Sequence, residues 1–61
     1  MKEIRTVRVA ILLPQVFDTS VNGLLRKGWT LMPGSPFCAP GENGISELVA
    51  FLEREVPDEG L

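Results

Sequence analysis

Histidine and tyrosine are absent from this chain of 61 residues, and Cys38 is its lone cysteine. Without histidine the usual general base of acid–base and nucleophilic catalysis is missing. A single thiol cannot close a disulfide within the chain. Zinc would need an all-oxygen or one-thiolate ligand set. No catalytic, metal-binding or cofactor-binding residues are therefore assigned, and the chain is not expected to be an enzyme. Long apolar runs are also lacking. The longest, Val9 to Pro14, falls far short of the ~20 residues that span a bilayer. Lys2, Glu3, Arg5 and Arg8 interrupt the first residues, which is not the pattern of a secretion signal. These absences point to a cytoplasmic protein of a bacterium or its phage, without a membrane partner.

A strong charge of one sign is the next thing missing: the net charge is −2. It is unevenly spread. Residues 1–31 carry Lys2, Arg5, Arg8, Arg26 and Lys27 against Glu3 and Asp18; residues 32–61 carry Arg54 against Glu42, Glu47, Glu53, Glu55, Asp58 and Glu59. The acidic half argues against a phosphate backbone as partner. Two neighbouring halves that neutralise each other across strands account for the split, with Arg5 or Arg8 near Glu53 or Glu55.

What is present is a globular composition, 44% apolar and 23% charged. One small domain over 1–61 is expected, with a frayed polar tail at 57–61. A chain this short buries only about 60% of the surface its unfolded form exposes. Self-association is the remaining way to gain burial.

Lys2 to Leu13 reads as a strand. Val7, Val9, Ile11 and Leu13 share one face; Ile4, Ala10 and Leu12 share the other with Thr6 and Arg8. Pro14 ends its ladder for want of an N–H. Phe17 to Lys27 reads as a helix, capped by Asp18, Thr19 or Ser20. Its apolar residues Phe17, Val21, Leu24 and Leu25 fall on one stripe. Gly28 suits the left-handed position that stops it. Gly23 marks either a close approach to the sheet or a tolerated interruption. Trp29 to Met32 forms the second strand. Pro33-Gly34-Ser35-Pro36 then forces a bulge, bend or edge before Phe37, Cys38 and Ala39 resume it. Asn43-Gly44 marks a turn. Residues 45–56 suit a helix by period, with Ile45, Leu48, Val49, Leu52 and Val56 on one stripe. The hairpin signal and the need for a third strand favour a strand instead. The expected core is Val9, Ile11, Phe17, Val21, Leu24, Leu25, Trp29 and Leu31.

The stretch Val21-Asn22-Gly23-Leu24-Leu25-Arg26-Lys27-Gly28-Trp29 resembles the core of a group of tiny bacterial and phage domains of unknown function. They share a V-N-x-hydrophobic-hydrophobic-x-x-G-W pattern, and the likeness covers residues 4–55. It implies a β-α-β-β order and a final strand at Leu48 to Glu55, but no activity. The fold expected is α+β, with one helix packed on a small three-stranded sheet; the alternative is β-α-β-α. Strand one would sit centrally, beside a parallel second strand reached through the helical crossover.

Other chemistry has a plainer reading. Cys38 is expected as a half-buried small residue, Glu53 and Glu55 as a solvated or paired sheet face, and Trp29 as a plug between helix and sheet rather than a stacking platform. The leading functional expectation is a non-enzymatic module that forms a homo-oligomer, a dimer or larger ring, through a sheet face or an edge strand. One alternative is a protein that binds or sequesters a small nucleotide or anion, using Arg5, Arg8 or Arg26 with the loop from Pro33 to Gly44. Its polar ligand-binding candidates are Arg8, Ser35 and Asn43. A nucleic-acid-associated protein is a further alternative.

Overall fold

The computed structural model describes residues 1–57, so most of the expected frayed tail, 58–61, lies outside the described residues. The chain is α+β, in the order β1 (Lys2–Ala10), α1 (Pro14–Arg26), β2 (Thr30–Leu31), β3 (Phe37–Ala39) and β4 (Glu47–Glu55). Among the described residues one helix lies on one small sheet, and the last element is a strand.

The strand at the centre is β4, not β1. β1 pairs along one side of β4, from Lys2 opposite Glu55 to Ala10 opposite Glu47. β2 and β3 share the other side, with Thr30 opposite Glu53 and Phe37 opposite Val49. All three pairings are antiparallel, so β1 and β2 run parallel but are separated by β4. The crossover through α1 thus leaves a slot, and β4 fills it. Leu48-Val49-Ala50-Phe51-Leu52 is apolar on both faces, with Leu48, Ala50 and Leu52 toward the helix and Val49 and Phe51 on the opposite side.

β1 stops at Ala10, three residues earlier than its composition suggests. Ile11 makes one more ladder bond, its N–H donating to the Ser46 carbonyl at 2.9 Å; Leu13 N–H then donates back to Ala10 at 2.9 Å, closing a turn. Pro14 opens the helix rather than ending the strand. It occupies the first helical turn, where a missing N–H costs nothing and its fixed φ fits. The helix therefore starts before Phe17, and among the described residues no side chain caps it; Asp18, Thr19 and Ser20 lie inside it.

The C-terminal stop is a complete Schellman arrangement. Lys27 is the C-cap and Gly28 follows at φ 92°. Gly28 N–H donates to Leu25 O at 3.2 Å and Trp29 N–H to Leu24 O at 3.1 Å. Those bonds satisfy carbonyls the helix would leave open. They also drop Trp29 beside Leu24 in the core.

That core is Phe17, Val21, Leu24 and Trp29 against Ala50 and Leu52, with Val7, Val9, Leu31 and Leu48 packed around it. Ala50 and Leu52 are completely buried. Two expected members are not there: Ile11 is 41% exposed and Leu25 39%. Ile11 has left the sheet for the turn, and Leu25 sits one helical step off the stripe set by Phe17, Val21 and Leu24. Gly23 has nothing within 4 Å of where a Cβ would stand, so it marks no close approach. Among the described residues no helix is long and apolar enough to cross a membrane.

Candidate functional site

With α1 on one face and β4 in the middle, among the described residues the face opposite the helix and both outer edges of the sheet remain uncovered, and β1 forms the longer, unbroken edge. The edge follows from the ladder. Val56 N–H donates to Met1 O at 2.8 Å, and Ile11 N–H to Ser46 O at 2.9 Å. These two bonds bracket a register without a bulge. In an antiparallel pair alternate residues point their backbone groups at the partner. The odd residues of β1 therefore face β4, and Lys2, Ile4, Thr6, Arg8 and Ala10 turn their N–H and C=O groups outward. Among the described residues nothing pairs with the backbone of Lys2, Ile4, Thr6 or Arg8; Ala10 O accepts from the turn.

The uncovered face has an apolar centre and a charged rim. Ile4 is 61% exposed, Phe37 39% and Phe51 37%. The two rings meet at 5.7 Å between centroids, tilted by 46°. Val49 lies on the same face but is buried, between its cross-strand neighbours Arg8 and Phe37. Around this centre Lys2 pairs with Glu53 at 3.1 Å, the terminal amine with Glu55 at 3.2 Å, and Arg8 with Glu47. Arg8 Nε donates to Glu47 Oε1 at 3.1 Å. The charge split between the chain's halves is thus neutralised across β1 and β4. The partner of Arg8 is Glu47, because the register sets Ala10, two residues on, opposite Glu47; Glu53 and Glu55 lie at the other end.

Arg5 is engaged elsewhere. Its Cζ stands 5.7 Å from the centre of the Trp29 ring, and Arg54 Cζ stands at 4.7 Å. Arg54 also donates to Glu3 Oε1 at 2.7 Å. Two guanidinium groups over one indole seal the end of the core. Trp29 is therefore a plug under cations, not an exposed platform.

The three ligand-binding candidates are not brought together. Arg8 lines a shallow groove of about 630 Å³ with Ala10, Pro40, Gly41, Glu42, Ile45 and Glu47. Its single cation faces two carboxylates there, which opposes an anion. Ser35 belongs to the sheet. Its Oγ accepts from Phe51 N–H at 2.9 Å, in the gap where Pro33 and Pro36 interrupt the ladder. Met32 N–H donates to Phe51 O at 2.9 Å just before the break. The break itself is a type II turn, with Pro33 and Gly34 central, Gly34 at φ 85° and Ser35 N–H donating to Met32 O at 3.2 Å. Asn43 sits in the 3-10 turn Glu42–Gly44. It has φ 57° and Gly44 has φ 74°, while Ile45 N–H donates to Glu42 O at 3.1 Å. These are the central positions of a type I′ turn, the natural link for a hairpin.

Cys38 is exposed rather than half-buried. Among the described residues no group of three or more His, Cys, Asp or Glu side chains is placed to hold a metal. Sequence reasoning missed the identity of the free edge. It also missed a second exposed apolar cluster, Leu12, Leu13 and Val16 at the turn into α1. The Asn43-Gly44 turn signals that β3 and β4 pair, but no local signal says that β1 takes the other side of β4. Comparison of the chain with family models, curated proteins and solved structures finds no match.

Proposed function

We propose that this chain is a small, non-enzymatic, cytoplasmic interaction module that works as a homo-oligomer. The observation that carries the reading is the uncovered side of the sheet. An apolar centre of Ile4, Phe37 and Phe51 adjoins a strand edge whose backbone groups at Lys2, Ile4, Thr6 and Arg8 have no partner among the described residues. Exposed apolar surface inside a polar rim marks contact sites, and a free strand edge is a template for another strand. The small core supports the same reading, since a chain this short gains burial chiefly by association. The likeness of Val21 to Trp29 to the small bacterial and phage domains adds a fold, not an activity. Light scattering behind size-exclusion chromatography tests the proposal. The expected mass is an integral multiple of 6.7 kDa that falls on dilution; a mass of 6.7 kDa at every micromolar concentration overturns it.

A further inference from the structure

We infer that the oligomer is a closed two-fold dimer in which β1 of one copy pairs antiparallel with β1 of the other, centred on Thr6. The inference rests on the self-association proposed above and specifies its geometry. β1 runs from Lys2 to Ala10, and Thr6 is its midpoint. A two-fold axis at Thr6 sets Thr6 against the partner's Thr6, Ile4 against the partner's Arg8, and Lys2 against the partner's Ala10. All of these residues turn their backbone groups outward, so every free N–H on the edge meets a carbonyl, the Thr6 N–H donating to the partner's Thr6 carbonyl. The intervening residues pair Arg5 with the partner's Val7 and Glu3 with the partner's Val9. No two like charges stand directly opposite, an arrangement that cross-strand energetics favours.

Neighbouring registers are worse. Centring on Arg5 sets Arg5 against its own copy and Lys2 against Arg8. Centring on Val7 leaves the Lys2 backbone without a partner, because Leu12 lies in the turn beyond the strand. Paired residues point to the same side of a sheet, so the two helices share one face and the two apolar centres share the other. Ile4 then lies along the aliphatic stem of the partner's Arg8. The edge is open along its length: Lys2 to Thr6 and Arg8 are exposed, and Val7, Val9 and Ala10 half-buried. A groove between β1 and the helix residues Ser20 and Leu24 runs beside it. Edge pairing through β1 stops at two copies. An isologous contact uses up the surface it joins, and the opposite edge, broken at Pro33 to Pro36, offers no second ladder.

Amide hydrogen exchange on the whole protein, above and below the concentration at which the mass doubles, tests this. Exchange at Ile4, Thr6 and Arg8 should slow by about tenfold or more in the dimer, while Cys38 on the other edge is unchanged. Thr6→Lys keeps the backbone and places two ammonium groups face to face across the axis; it should weaken dimerisation by at least about tenfold, and Phe51→Glu should not. A doubled mass with unprotected Ile4, Thr6 and Arg8 amides, or dimerisation lost in Phe51→Glu and kept in Thr6→Lys, overturns the edge geometry and leaves self-association standing. A monomer at all concentrations overturns both. If Thr6→Lys does not fold, the wild-type amide measurement decides.

Discussion

β1 runs nine residues without a proline, a glycine or a bulge, whereas the opposite edge of the sheet is in two pieces, Thr30–Leu31 and Phe37–Ala39. Between the pieces lie Pro33, Gly34, Ser35 and Pro36, and Pro40 follows. Prolines cannot donate to a ladder, and short edge strands give an incoming chain little to bind. The broken edge is nonetheless well anchored to β4, by Met32, by the Ser35 hydroxyl and by the turn at Glu42 to Ile45. On their outer sides both edges are unpaired among the described residues, but only β1 presents an unbroken row of backbone groups. One edge is thus interrupted within the chain, and the other is left in a form that a second strand could extend. Proline placement, more than apolar content, separates a broken edge from a continuous one in this sheet.

The contrast can be broken from the middle or sharpened from either side. Leu52 is fully buried in the shared strand, opposite Arg5 on one side and Leu31 on the other. Leu52→Ala should cost about 2–5 kcal/mol and release both edges together. Circular dichroism and Trp29 fluorescence would then report one urea midpoint, far below that of the wild type. Gly41→Ala should act first on the broken edge. Its Cβ would meet the Ile45 carbonyl oxygen and Glu47 Cγ, the latter at 2.8 Å, so the turn must shift at a cost of about 1–3 kcal/mol. Amide exchange should quicken at Phe37 and Ala39 before it does at the β1 residues Arg5 and Val7. Ser35→Ala leaves the Phe51 N–H without its acceptor and should cost about 1–2 kcal/mol, seen as faster exchange at Phe51 with β1 unaffected. Gly23→Ala touches neither edge. With open space at that Cβ it should raise stability by about 0.5–1 kcal/mol, shifting the urea midpoint upward with exchange at the two edges slowed alike.

Local chemistry was legible wherever one residue dictates one conformation. Gly28 before Trp29 announced the helix stop, Pro33-Gly34 the break, and Asn43-Gly44 the turn, and each does what its own backbone preference requires. Pro14 misled because a missing N–H is compatible with a strand end and with a first helical turn. Ile11, Leu12 and Leu13 continued the apolar run of β1 without belonging to it, since hydrophobicity alone does not keep a chain extended. The order of strands was not legible. β1 and β4 both carry apolar residues on two faces, and which becomes central depends on pairing across more than thirty positions, as between Arg8 and Glu47 at a separation of 39. The candidate site shared that fate. Ser35 reads as a loose polar loop residue until β4 is laid beside it, and the exposure of the β1 backbone has no signature in its side chains.

Placing the shared strand last among the elements has a consequence for synthesis. As the polypeptide emerges, β1, α1, β2 and β3 appear first, and none of these strands has a ladder partner until β4 follows. Only the helix can form early; the sheet must wait for long-range contacts, which form slowly. Throughout that interval the sticky backbone of β1 is available to whatever lies nearby, so a nascent chain is more vulnerable to mispairing than the finished molecule.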